Sequence, residues 1–398
     1  MELIDAVRGG AAAGIVLGVR RGDHVDVRVA GLRGPGGAPL TADTPFPVAS
    51  ITKPATAALL HALHARGDLD LDARAWRDAT WRELLRHTGG AGPGYEGGIE
   101  RFGNGDGAPA AYAEHPELIE WLGAPWSYAN PGYWLAGAHA AAVSGRPFAR
   151  GLRELVLDPA GVTGADSRPW RDDPALLAHD DPDPARNSYL AMPRVRVPSG
   201  GLRATVGDVL ALAAATWPGG ALGHLGVLGE APFAEVYGGR FWGPGWEAWR
   251  AADGTLVTGH SGVSGGFRTR LWSVPARRTA VAVLAVGDRR GGRGPQLEDA
   301  VLDIALDAVD VATGLRERAP RGGPLREDLD AYAGRYGEHE VVADGDALVV
   351  SGVRAVPFGG DSFLVPGVSA PRRHVDFLRD AAGGIAFLRV GLLCSARG

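Results

Sequence analysis

Of the 41 Lys and Arg residues in this chain one is lysine, Lys53, and there is one cysteine, Cys394. A single thiol excludes an intrachain disulfide and fits a reducing compartment. No stretch approaches the ~18 consecutive apolar residues of a membrane helix. A formal net charge of −5 supplies no basic footprint for nucleic acid. No glycine-rich segment follows a strand with the spacing of a nucleotide loop, so no nucleotide is expected. His61 and His64 are helix neighbours with no third ligand near in sequence, which makes them structural rather than metal-binding. Met1–Arg8 carries two acids, Glu2 and Asp5, and makes a poor secretory leader. The expectation is a cytoplasmic protein that holds no cofactor or metal and engages neither nucleic acid nor membrane.

What is present is a loop-rich chain able to build a core: 398 residues, 61 of them glycine and 28 proline, with 45% hydrophobic content. Gly14–Val19 and Val25–Ala30 read as a hairpin around Arg21-Gly22-Asp23. A helix is expected from Pro54 to near Gly67, a short one over Thr80–Arg86, and a third over Tyr133–Val143. A fourth, Val206–Thr216, has Thr205 as its N-cap. Residues 89–113 form a long irregular stretch of the kind used for lids, and residues 166–187 a solvated excursion. Phe241–Trp249 reads as extended, and His260 stands on the approach to a strand. Phe267–Trp272 alternates with period two, and Thr279–Val286 is a continuous apolar run suited to a central strand. Gln296–Val309 is an amphipathic helix. Both ends of this region contribute strands to one sheet, with a helical subdomain between them. Residues 316–327 are a linker by composition. Beyond it six short runs, Glu340–Val342, Ala347–Val350, Arg354–Phe358, Ser362–Val365, His374–Arg379 and Ile385–Val390, suggest a small antiparallel barrel. The organisation expected is a main domain over 1–315, the linker, and a small all-β domain over 328–398.

The one lysine sits where chemistry would want it. Ser50-Ile51-Thr52-Lys53 opens an Ala- and Leu-rich helix, and residues three apart share a helix face. The Ser50 hydroxyl and the Lys53 amine therefore stand side by side. A serine hydroxyl needs a base to become a nucleophile. An amine is a base only when neutral, so its pKa must fall by about 3 units from ~10.4 through burial or nearby positive charge. Arginine, used at every other basic position, cannot be deprotonated in a protein.

Two further segments offer partners. In Ser127-Tyr128-Ala129-Asn130 the phenol of Tyr128 can take or return a proton beside a lysine, and Asn130 has a donor and an acceptor for a substrate amide. In His260-Ser261-Gly262-Val263, Gly262 lets a substrate lie against the backbone. The Val263 N–H can join that of Ser50 as an oxyanion hole, and His260 is a proton carrier or an anion contact. Trp242, Trp246 and Trp249 are candidates for the cleft lining or for packing. Arg372-Arg373-His374 is a loop of the small domain, and Cys394 an inert thiol.

The ordered trio Ser50-x-x-Lys53, Tyr128-x-Asn130 and His260-x-Gly262 resembles the serine hydrolases related to class C β-lactamases and D-alanyl-D-alanine carboxypeptidases. Thr44-x-Phe46-x-Val48-Ala49-Ser50, Leu84-Leu85-x-His87-Thr88 and Pro198-Ser199-Gly200-Gly201-Leu202 add to the resemblance, which covers residues 12–310. It implies an α/β (α+β) fold: a mixed sheet flanked by helices, beside an all-helical subdomain, with the site in the cleft between them. It further implies Ser50 as the acylated nucleophile, Lys53 and Tyr128 as general base and acid, and Asn130 as the orienter of the acyl amide. The tail from Leu329 resembles the small lipocalin-type barrel of D-amino-acid amidases and peptide-cyclising thioesterases. Two departures shape the expected function. Histidine stands where β-lactamases carry a lysine in the third motif, as is commoner among esterases, amidases and transacylases, and no leader for export is recognised. Gly89 also replaces a serine frequent in the family. The expected activity is acyl transfer from an ester, thioester or amide, small or peptidic and possibly carrier-bound, to an amine or to water. A transacylase or offloading cyclase of secondary metabolism is favoured over a plain hydrolase or a non-turning-over sensor.

Overall fold

The computed structural model describes residues 3–34, 37–94, 99–103, 105, 107–167, 192–228, 234–237, 240–287, 294–315, 323–367 and 374–398. An eight-stranded sheet organises the main domain, in the order His24–Gly31, Gly14–Arg21, Thr279–Val286, Phe267–Val274, Leu256–Ser264, Glu247–Arg250, Arg240–Trp242, Ala234–Tyr237. The N-terminal hairpin is zipped onto the last strand from Gly14↔Val286 to Arg21↔Thr279, so both ends of the domain do build one sheet. Every residue of Thr279–Val286 is buried, which is why that run lacks polar alternation. The sheet is not mixed. All its pairings are antiparallel, because short turns rather than helical crossovers join its consecutive C-terminal strands.

Each face of the sheet has its own core. On one side Val16 and Leu284 meet Val206 and Leu210 of the helix Val206–Ala215. Thr205 caps that helix, accepting from the Asp208 amide at 3.1 Å. On the other side Ile15, Val281 and Val283 meet Leu297, Val301, Ile304, Ala305 and Val309 of the helix Gly294–Thr313. Their spacing is one helical stripe, and each fully buried aliphatic contributes roughly 1.5–3 kcal/mol. The helix Thr52–Ala65 is buried along almost its whole length and packs on Pro131–Ser144. Its many alanines let neighbours approach from all sides.

Phe241–Trp249 is not one extended run. It folds as two strands around Gly243-Pro244-Gly245. Gly245 has φ +78° and passes so close to the buried helix that a Cβ there would lie 2.7 Å from the Lys53 carbonyl oxygen. His260 lies within a strand rather than before one. A short helix, Leu3–Arg8, precedes the first strand. Parts of the 89–113 stretch (95–98, 104 and 106), residues 168–187 of the 166–187 excursion, and Arg372 and Arg373 lie outside the described residues. Within 89–113, Ala108–Ala113 is helical.

The small domain has eight consecutive antiparallel strands rather than six. The two missed are its edge strands, Gly334–Tyr336 and Leu393–Ala396. They nearly close the barrel through Gly337 N–H to Ala396 O and Gly398 N–H to Arg335 O, each 2.9 Å. Tyr332, Tyr336, Phe363 and Phe377 fill its interior. Residues 323–326 belong with the barrel and not with the linker: Gly323 N–H donates to Phe358 O at 2.8 Å and Arg326 N–H to Gly360 O at 2.9 Å. Residues 316–322 of the linker are outside the described set.

Candidate active site

Ser50 lies in the 3-10 turn Ala49–Ile51, immediately before the buried helix. Ala49 is held at φ +48°, a conformation costly for a residue with a Cβ and typical of functional turns. The Thr52 hydroxyl locks the turn. It donates to Ala49 O at 2.7 Å and accepts the Leu202 amide at 3.0 Å. The strand carrying His260 runs directly against this turn. A Cβ on Gly262 would fall 2.3 Å from Val48 O and 2.2 Å from Thr269 Oγ1, so this glycine makes room for protein backbone as well as for any substrate.

Lys53 is fully buried, and its Nζ lies 2.8 Å from Asn130 Oδ1, 2.8 Å from Ser199 O and 3.2 Å from Ser50 Oγ. No carboxylate among the described residues pairs with it. Burial holds the amine well below its ordinary range. The two carbonyl oxygens can only accept. A neutral amine gives each of them one N–H and turns its lone pair to the remaining neighbour, the Ser50 hydroxyl. Nζ also stands 4.8 Å from the ring centroid of Tyr128 and 5.3 Å from that of Tyr133. Those rings would face any ammonium formed there.

Asn130 occupies the N-cap position of Pro131–Ser144 yet makes no capping hydrogen bond. Its carbonyl oxygen is turned to Lys53 instead, which leaves its NH₂ as the donor for a substrate. Tyr128 is buried on the preceding loop, tilted against His87 with ring centroids 4.4 Å apart. His87 itself has φ +65° and is buried. Its Nδ1 accepts the Ala129 amide at 3.0 Å and its carbonyl accepts the Ser127 amide at 3.1 Å. Burial, then the proximity of Lys53 and His260, keep the ring well below the usual histidine range and hence neutral.

His260 is buried and also neutral, its pKa lowered by burial first and by Lys53 next. Nδ1 lies 2.5 Å from Ser261 O. That carbonyl only accepts, so Nδ1 carries the proton and Nε2 the lone pair. Nε2 has no hydrogen-bond partner among the described residues. The ring centroid is 6.1 Å from that of Tyr128 and 5.5 Å from that of Trp242. A neutral imidazole here is a proton acceptor, not the cation that would hold a substrate carboxylate. Val263 follows on the same strand, half exposed at 48%, beyond the segment paired with Glu247–Arg250.

The structure brings Ser50, Lys53, Tyr128, Asn130, His260 and Gly262 to one place. It adds His87 and Ser199, for which the motifs at Leu84–Thr88 and Pro198–Leu202 were the only signal. Of the three tryptophans Trp242 alone joins the site, packed with Trp126 and Tyr128. Trp246 belongs to the core on one side of the sheet and Trp249 to that on the other. A Cβ on Gly89 would meet Leu84 Cδ2 at 2.7 Å, so the departure from serine follows local packing. His61 Nδ1 contacts Ala57 O at 2.8 Å, and burial lowers its pKa to about 4. Cys394 is buried and its thiol is pushed up to about 12 by burial, which makes it inert. His374 is buried in a barrel strand rather than displayed on a loop. Among the described residues no cluster of His, Cys, Asp and Glu is placed to hold a metal, and no helix is long and apolar enough to cross a membrane.

Comparison with known proteins agrees with this fold. The chain is 31% identical to Esterase EstB of Burkholderia gladioli over a stretch covering 32% of this chain and 39% of that enzyme, well under two thirds of its length. The crystal structure of SurE with D-Leu superposes with a TM-score of 0.74 at 24% identity, covering 99% of this chain and 97% of that one. D-amino acid amidase from Ochrobactrum anthropi SV3, complexed with L-phenylalanine amide, superposes with a TM-score of 0.62 at 19% identity, covering 78% of this chain and 97% of the amidase. Residues 2–306 match the sequence model of the Beta-lactamase family, and the chain belongs to that family.

Proposed function

We propose that this protein is a serine acyl-transfer enzyme working through an acyl-Ser50 intermediate. The observation that carries the reading is the buried Lys53 amine, 2.8 Å from Asn130 Oδ1, 2.8 Å from Ser199 O and 3.2 Å from Ser50 Oγ. As a neutral amine it gives its N–H groups to the two carbonyl oxygens and turns its lone pair to Ser50. Lys53 accepts the Ser50 proton as Oγ bonds to the acyl carbon. The N–H groups of Ser50 and Val263 receive the oxyanion, where one donor is typically worth ~3 kcal/mol. The proton returns to the departing alkoxide, thiolate or amine through Tyr128, with His260 Nε2 as the acceptor beside it. The Asn130 NH₂ and the gap at Gly262 orient the acyl chain. The acyl group then passes to an amine or to water.

Within this class we favour a transacylase or peptide-cyclising enzyme of secondary metabolism, acting in the cytoplasm on a small or peptidic donor that is free or carrier-bound. The near-complete overlap with SurE, whose structure holds D-leucine, supports a donor with a D-residue near the scissile bond. The local identity with an esterase favours a second reading, plain hydrolysis of an ester or amide. One experiment tests the class and separates the two. The enzyme is incubated with ester, thioester and D-amino-acid amide donors, with and without amines, and products and intact protein are read by mass spectrometry. Acyl mass on Ser50 that vanishes in Ser50→Ala is expected, with amine adducts outnumbering hydrolysis products. Adducts elsewhere would refute the nucleophile, and hydrolysis alone in the presence of amines would favour the second reading.

A further inference from the structure

The loop that carries Tyr128 is secured from two directions. Its Ser127 and Ala129 amides donate to His87, within the main domain, but the amide between them, that of Tyr128, donates to Leu392 O at 3.0 Å. Leu392 is in the small barrel, in the turn joining Ile385–Val390 to Leu393–Ala396. The strand it leads into returns two bonds. Cys394 N–H donates to Ser127 Oγ at 3.4 Å, and the Cys394 thiol to Trp126 O at 3.0 Å. The Leu392 side chain packs against Trp126, Tyr128 and Trp242. Behind it Arg389, 1% exposed and paired with Asp376 at 3.1 Å, lies 5.5 Å from the Trp126 ring centroid. Residues 126, 127 and 128 are thus each bonded to the barrel from more than 260 positions away.

Building on the acyl-transfer reading above, we infer that this barrel turn positions Tyr128. A buried amide must have an acceptor, and a loop outside helix and sheet has no ladder to provide one. For Tyr128 the acceptor is the Leu392 carbonyl, and the Leu392 side chain closes the same ring of aromatics from outside. Docking of the turn and correct placement of the phenol are then one event, and Leu392 and Cys394 are positioning residues. The dependence is strongest for donors whose leaving group needs a proton. An amide or alkyl ester requires one in the transition state, whereas a p-nitrophenyl ester does not.

The test uses the full chain. Leu392→Ala is expected to lower kcat on an amide or alkyl ester by about 10- to 10²-fold, the scale of an ångström-level misplacement, with KM little changed. The loss on the matching p-nitrophenyl ester should be much smaller, and Leu392→Met should stay near wild type. Cys394, the only thiol, should react faster with a methanethiosulfonate reagent in Leu392→Ala. As a second route, Cys394→Ala, which removes the thiol's bond to Trp126 O, should lower amide turnover more than p-nitrophenyl ester turnover. A serine-directed phosphonate reports on Ser50 separately. If the unmodified wild type takes no adduct there, the acyl-transfer reading fails, whatever the turn does. Faster Cys394 labelling in Leu392→Ala with kcat unchanged on both donors, equal losses on both donors, or full amide turnover by Cys394→Ala would each overturn the positioning role.

Discussion

Asn130 Oδ1 accepts a hydrogen bond from Lys53 Nζ at 2.8 Å across 77 positions of sequence. The bond joins two motifs and sets how each works. It withholds a capping side chain from the helix Pro131–Ser144 and directs it to hold the amine without charging it, because an amide oxygen accepts an N–H but carries no formal charge.

Replacing that amide with a carboxylate should therefore move a pH profile. In Asn130→Asp a negative group beside Lys53 favours the ammonium and raises its pKa, by about 1–3 units for such a contact. Less of the amine is neutral at any given pH, so the acid limb of kcat/KM shifts to higher pH. The measurement is acylation rate against pH for both enzymes. An unmoved limb would show that Lys53 is not the titrating base.

Lys53→Arg should abolish most activity. Guanidinium stays protonated at working pH, and its bulk would have to fit a fully buried site already enclosed by Asn130, Ser199 and the Tyr128 and Tyr133 rings. The expected loss of Ser50 acylation is at least ~10²-fold. In the wild type, amine labelling against pH reads this one side chain plus the N-terminus. It should return an apparent pKa below ~10.4.

Gly262→Ala should cost both fold and function. The added methyl meets Val48 O at 2.3 Å, a rigid backbone atom next to Ser50. Thermal melting should show a destabilisation of about 1–3 kcal/mol, with acylation reduced more than melting predicts. Stability and activity both equal to wild type would mean that the strand does not need this close approach.

Acid should destabilise the protein before its carboxylates titrate. His61, with its pKa near 4, and His87 and His260, with theirs well below the usual value, are all lowered chiefly by burial. Each is neutral when folded and protonates near pH 6.5 when unfolded, so the unfolded chain binds more protons below that pH. Stability falls as pH drops from about 6.5 towards 4, by up to roughly 1.4 kcal/mol per unit for each ring. Chemical denaturation at pH 7, 6 and 5 checks this, and His61→Gln should flatten the slope.

How much of this was readable beforehand divides along physical lines. Relationships that depend on local geometry or on side-chain identity were open to the sequence alone. Ser50 and Lys53 share a helical face because they are three apart. Thr205 caps because its hydroxyl reaches the Asp208 amide. Thr279–Val286 is central because nothing polar interrupts it. The lysine stands out because arginine, used everywhere else, cannot lose its proton. What the tertiary structure decided is which backbone atoms meet these side chains. Ser199 O at the amine, His87 O and Leu392 O at the Tyr128 loop, and Val48 O against Gly262 are carbonyls. Every residue has one, so no letter of the sequence marks which will be used. Their selection waits on chain segments up to 264 positions apart being packed together, and so does the burial that keeps His87 and His260 neutral and lowers the pKa of Lys53.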